Sequence, residues 1–244
     1  MRASEWEFRY RFWIICALFT AAFYSYRLDH TNVGVAVAHL LSPGTDLDAP
    51  AGRGILRAIF LVASLPAVAG AALRSWASAY LRSEIVHDTA MHAESLVADG
   101  PFRHVRNPLY LGNLLLALGM GFLASRLGAV VLNVGQTLFL LRLIGREEAL
   151  LAASGGQRFE AYRAAVPRLV PSLTPRVPRG GVEPRWAQGI AGEAFIWILA
   201  ASMLAFALTL NARLVPAAAA VGFIVYWILF AVWKRRGRAR QRPS

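Results

Sequence analysis

The run LYLGNLLLALGMGFLA (109–124), the pair Ser125-Arg126 and the run LGAVVLNVGQTLFLLRLI (127–144) decide the fold class of this chain. Both runs are almost free of charge and approach the roughly 20 apolar residues needed to cross a bilayer. They read as a helical membrane hairpin turning at the polar pair. Composition extends that reading to the whole molecule. Of 244 residues, 57% are hydrophobic and only 16% charged, against about 45–50% and about 25% in a soluble domain. A disordered basic chain would be poor in apolar residues. A disulfide-stapled fold is excluded because Cys16 is the single cysteine. The net charge of +12 fits cytoplasmic loops, where basic residues resist translocation, so nucleic acid is not needed to explain it.

Working outward, four more apolar segments are expected to span: Phe12–Leu28, Ile55–Tyr80 interrupted by Pro66, Ile190–Leu210, and Leu214–Trp233 after a short turn at Asn211. The first follows Arg9 and Arg11 like a signal peptide, but no small-x-small cleavage pattern comes after it, so it reads as a retained anchor. The expected fold is therefore all-α, a polytopic transmembrane helix bundle of about six membrane helices. The basic run Lys234–Arg240 places the C-terminus in the cytoplasm. Counting back puts 145–188, 82–108 and the N-terminus on the same side, leaving Asp29, Asp46 and Asp48 outside. Pro167, Pro171, Pro175, Pro178 and Pro184 cannot continue a helix. They divide the chain into a core (1–171), an irregular surface linker (172–188) and a C-terminal helix pair with a basic tail (189–244).

Two cytoplasmic segments are candidates for chemistry. In the first, Gly100-Pro101 is a turn and Pro108 suits the first turn of a helix. Asn107 is expected to cap that helix through its side-chain oxygen, leaving free N–H groups able to hold an anion. A plain helix cap with Arg106 on lipid phosphates explains the same residues. The second segment is Glu147-Glu148. Helical spacing carries the Glu147 stripe back through Gln136 and Asn133 into the bilayer, where polar groups usually face protein or a wet cavity. Arg142 and Arg146 could pair with these acids or reach phosphates. An interfacial ion-pair cluster is the plain alternative. The hairpin brings both segments to one end. Beyond them, 157–166 reads as a short amphipathic helix with Phe159, Tyr162 and Val166 on one face.

Over roughly Trp76 to Pro171, these residues resemble the isoprenylcysteine carboxyl methyltransferase and phospholipid methyltransferase superfamily of integral-membrane methyltransferases. The marks are Gly100-Pro101-Phe102, Arg106-Asn107-Pro108-Leu109-Tyr110-Leu111-Gly112, Glu147-Glu148, then Gly156, Tyr162 and Val166-Pro167-Arg168-Leu169-Val170-Pro171, with Trp76 and Tyr80 upstream. The resemblance implies methyl transfer from S-adenosylmethionine to a lipid or lipid-like acceptor at the cytoplasmic face, in a bacterial inner membrane. It also implies that Gly100, Pro101, Arg106, Asn107, Pro108, Tyr110, Gly112, Glu147 and Glu148 form the cofactor pocket, with Arg106, Glu147 and Glu148 nearest the chemistry. Asn133, Gln136, Tyr162 and Arg168 are the expected acceptor contacts. One departure stands out: isoprenylcysteine enzymes commonly carry His where this chain has Asn107, as phospholipid-methylating relatives do, which counts against prenylcysteine as the substrate but leaves phosphatidylethanolamine, a small isoprenoid acid and other bacterial lipids open. Glu147, Glu148 or His104 would then deprotonate an amine, whereas a carboxylate acceptor needs only a cation such as Arg106 or Arg168.

Other signals are weaker. Gly119-Met-Gly121-Phe-Leu-Ala124 matches a loose dinucleotide fingerprint, but inside a membrane helix it reads as close helix packing. His87 and His92 do not share a helical face and no cysteine lies nearby, so no metal site is expected. The rival readings are an NADPH-dependent reductase like the sterol reductases, and a non-enzymatic scaffold or transporter. A transporter should show ionisable groups at mid-bilayer and related halves, and neither is evident. Oligomeric state is not legible.

Overall fold

The computed structural model describes residues 2–81 and 98–240, with side chains to 228. His87 and His92 lie outside the described residues, as do the side chains of the basic tail. The described chain is all helix and loop: α1 (Glu5–Arg9), α2 (Arg11–Tyr24), α3 (Val33–Leu41), α4 (Pro50–Tyr80), α5 (Pro108–Gly121), α6 (Arg126–Ala165), α7 (Trp186–Gly192), α8 (Ala194–Thr209) and α9 (Leu214–Arg240).

The expected hairpin is α5 and α6, turning over residues 122–125 with Ser125 capping α6 through a bond from the Gly128 N–H. α4 packs against α5, α7 and α8, while α6 packs against α2 and α5. Small residues make the α4–α5 seam tight. A Cβ on Gly112 would lie 2.4 Å from Arg74 Cγ, and one on Gly119 would lie 2.8 Å from the Ala63 carbonyl. The reading of Gly119 as a packing residue is borne out. Pro66 does not interrupt α4, which runs on unbroken. Neighbouring helices hold such a helix together after the loss of one ladder bond.

Among the described residues two helices, α4 and α6, are long and apolar enough to cross a membrane, and α7 with α8 would make a third if that bent pair is one span. The expected fifth span is thus not straight: it turns by 66° between Gly192 and Ala194. α5 is a shorter apolar helix, about 21 Å at 1.5 Å per residue. α2 ends at Tyr24 and gives way to a tight 3-10 turn, Ser25–Arg27.

The N-terminus is strapped to α6. Glu7 accepts from Arg142 Nε and Nη2 at 3.0 and 2.8 Å, the Ala3 N–H bonds the Arg142 carbonyl, and Arg146 Nη1 donates to the Ala3 carbonyl. The Arg142 guanidinium and then the Ser4 N–H lower the Glu7 carboxyl from 4.5 to about 2. A depressed carboxylate stabilises the fold above its unfolded value and ceases to do so as pH falls through its folded one. The difference in Tm between the native chain and Glu7→Gln is therefore expected to be constant above about pH 5 and to vanish towards about pH 2.

The proline-rich segment is irregular, as expected, but its course is defined. It returns along the 99–107 loop, donating from Ser172 N–H to the His104 carbonyl and from Arg176 N–H to the Arg103 carbonyl. The Arg106 N–H bonds the Pro167 carbonyl in return. The Asp99 carboxylate, 3% exposed, accepts from the N–H groups of Gly180 and Val182, both at 2.8 Å.

Candidate functional site

The start of α5 and the end of the membrane part of α6 meet at one face of the bundle. Tyr110, in the first turn of α5, donates its hydroxyl to Glu147 Oε1 at 2.5 Å. One residue on, Glu148 is buried and collects three groups. Arg168 donates to its Oε2 from Nε and Nη2 at 3.1 and 2.7 Å, Arg106 Nε lies 3.3 Å from Oε1, and Asn107 Nδ2 donates to Oε1 at 3.4 Å.

Asn107 is not the expected side-chain cap. Its amide makes no capping bond and instead bridges Glu148 and the Arg168 carbonyl. Bonding of the amide nitrogen to these two acceptors fixes the side chain with its Oδ1 off the helix N–H groups. Arg142 and Arg146 do not pair with Glu147 or Glu148 either: the first is taken by Glu7 and the second reaches the Ala3 carbonyl. Tyr162 bonds the Phe102 carbonyl at 2.8 Å. It is buried with Phe159 and Val166, the face expected from the sequence. This short helix breaks away from α6 at Gly156, where φ is 50° and ψ −137°.

Burial separates the remaining expected residues. Pro101 and Pro108 are fully enclosed and shape the loop rather than line an open surface. Gly112 faces α4. Gln136 is buried with an unbonded Oε1, and Asn133 Nδ2 donates to the Ala129 carbonyl of its own helix. At 1.5 Å per residue they stand about 16 and 21 Å along α6 from Glu147. The structure does not join them to the cluster.

On the α4 side of the same loop, a cavity of about 540 Å³ is lined by Trp76, Tyr80, Gly100, Arg103, His104 and Glu183 among others. Its size falls within the roughly 300–1,000 Å³ of small-molecule sites. His104 Nδ1 is 2.9 Å from the Ser172 carbonyl, which ties the ring to the returning proline-rich segment. Among the described residues no group of three or more metal-ligating side chains occurs.

Arg106 and Glu148 lie on segments far apart in sequence, and both fall within one family profile. Residues 61–153 match the isoprenylcysteine carboxyl methyltransferase (ICMT) family. The ICMT match takes in most of α4, the 99–107 loop, all of α5 and α6 as far as Ala153, so the resemblance read from the sequence is borne out. Tyr162 and Arg168 complete the cluster from beyond the ICMT segment. No curated protein and no solved structure matches the chain.

Sequence reasoning missed three contributors. Asp99 and its backbone partners anchor that returning segment. Arg74 and Glu193 form a 2.7 Å ion pair between α4 and the bend before α8. Each is a single charge in an apolar run, and opposite charges so placed are expected to find one another. The third is Arg11 at the start of α2, whose charge acts on both Tyr110 and Glu147.

Proposed function

We propose that this chain transfers a methyl group from S-adenosylmethionine to a lipid or lipid-like acceptor at the membrane face where α5 begins. The observation that carries the reading is the meeting of two family-matched segments, through Tyr110 with Glu147 and through Asn107 and Arg106 with Glu148. The arginine distribution supports a six-span arrangement in a cytoplasmic membrane, with this face and both termini inside.

The residues fit the cofactor. Glu147 accepts from a neutral phenol and has no cation within ion-pair distance among the described residues, so its charge is available to the cofactor's ammonium group. Arg106 Nε is buried without a hydrogen-bond partner, and its charge is matched by Glu148 at ion-pair distance. Burial lowers the Arg106 pKa while the Glu148 charge opposes that shift. When bound, the cofactor supplies an electrophilic methyl group on a sulfonium centre. The chain's own part is alignment, charge balance and exclusion of water. Tyr110 holds the Glu147 carboxylate in one orientation, while Glu148 fixes Arg106 and Arg168.

Titration calorimetry of detergent-purified protein tests this. S-adenosylhomocysteine is expected to bind at micromolar concentration and NADPH not at all. NADPH binding alone would install the reductase reading instead. Tyr110→Phe removes one hydrogen bond to a carboxylate, worth roughly 1.5–3 kcal/mol. S-adenosylhomocysteine affinity in that variant is expected to fall about 10-fold or more, with Tm lowered by a few degrees.

A further inference from the structure

Most charged groups around the site are already matched. Glu148 holds Arg106 and Arg168, Glu7 holds Arg142, and Glu193 holds Arg74. Arg11 and Arg146 are different. Both are partly buried, and among the described residues neither has a carboxylate within ion-pair distance. Arg11 Nη1 donates to the Phe8 carbonyl at 3.0 Å, and its guanidinium lies 4.5 Å from the centroid of the Phe8 ring. The Arg146 guanidinium lies 5.6 Å from the same centroid, with its Nε buried and unbonded. Two like charges share one aromatic ring, with only backbone carbonyls as bonded partners, and the charge of Arg11 acts on Tyr110 and Glu147.

We infer that Arg11 and Arg146 form an oxyanion site that receives the phosphate of the acceptor's headgroup, while the acceptor's amine lies beside Glu147. This rests on the methyltransferase reading and narrows it to a phosphate-bearing amine lipid. A phosphate between the two arginines offsets their mutual repulsion and matches the fork of guanidinium donors. An isoprenoid carboxylate would carry its only charge at the reacting centre and leave this pair unmatched. Arg106 and Arg168 cannot take the same part without giving up Glu148.

Equilibrium binding without cofactor, on the full chain in nanodiscs, tests the site. Phosphatidylethanolamine is compared with uncharged diacylglycerol for the native protein, Arg11→Gln, Arg146→Gln, the double glutamine variant and the double lysine variant. The double glutamine variant is expected to bind phosphatidylethanolamine about 10-fold or more weakly, the scale of one charged hydrogen bond. Diacylglycerol binding is expected to hold, and the lysine variant to keep most of its lipid affinity. Should the double glutamine variant not fold, Arg11→Gln, which loses one bond to a backbone carbonyl, carries the comparison. Unchanged phosphatidylethanolamine affinity, or an equal loss for diacylglycerol, overturns the proposal. Competition by soluble glycerophosphoethanolamine supports an oxyanion site fed from solution, and its absence a site fed from the bilayer. If the native protein shows this arginine dependence but never binds S-adenosylhomocysteine, the methyltransferase reading falls while the oxyanion site stands.

Discussion

Glu147→Gln is expected to weaken S-adenosylhomocysteine binding about 100-fold, near the upper end of a charged hydrogen bond, and to leave Tm almost unchanged. The two adjacent glutamates are placed differently, and their variants should therefore fail differently. Glu147 has a neutral partner, Tyr110, and its glutamine keeps that acceptor while losing the charge. Glu148 is the counter-ion of two arginines. Glu148→Ala leaves Arg106, 12% exposed, without its anion. Breaking a buried pair costs roughly 3–5 kcal/mol, and the 42% exposure of Arg168 puts this site at the low end. Titration and thermal unfolding of both variants in one detergent separate the roles. Equal loss of binding and stability in the two would show that the glutamates act as one structural unit, and the assignment of Glu147 to the cofactor would be wrong.

The second large effect is expected on the α4 side of α5. In Glu193→Ala, Arg74 and Ser78 lose their carboxylate partner at a site where the Glu193 side chain is 6% exposed and that of Arg74 18%. Removing one member of so enclosed a pair costs about 3–5 kcal/mol. The loss should loosen α7 and α8 from α4, because Glu193 sits at their bend. Arg74 also donates to the Leu109 carbonyl and to Asn113 Oδ1, so the first turns of α5 should lose order as well. A lowered Tm with a second, earlier transition is the expected trace. The paired variant Arg74→Met with Glu193→Leu should recover much of it, since well-packed apolar replacements of buried ion pairs are often tolerated. No recovery would mean that the Arg74 bonds to α5, rather than the ion pair, carry the stability.

What the sequence made legible follows from range. The hairpin and the amphipathic face of Phe159, Tyr162 and Val166 depend on periodicity and turn chemistry within a few residues, and both match the structure. The proximity of Asn107 to Glu148 followed from the hairpin geometry. The error at Asn107 arose because capping is a local rule, whereas the carboxylate that orients its amide arrives from α6. Arg74 with Glu193, Arg142 with Glu7, and the course of residues 167–184 are pairings across the fold, set by packing that no local pattern records.

The return of that segment along the 99–107 loop has a consequence for descent. Its register is held largely by main-chain groups, with Asp99 as the chief side-chain clamp. Backbone bonds are indifferent to residue identity, so outside Arg168, which holds Glu148, and Gly181, at a φ of 87°, substitutions can accumulate there as long as proline avoids the donor positions. Shape is inherited while spelling drifts. Family comparison stops at residue 153, just before the stretch whose path closes the site. Distant kin of this chain should therefore be sought by the path of that returning strand rather than by its letters.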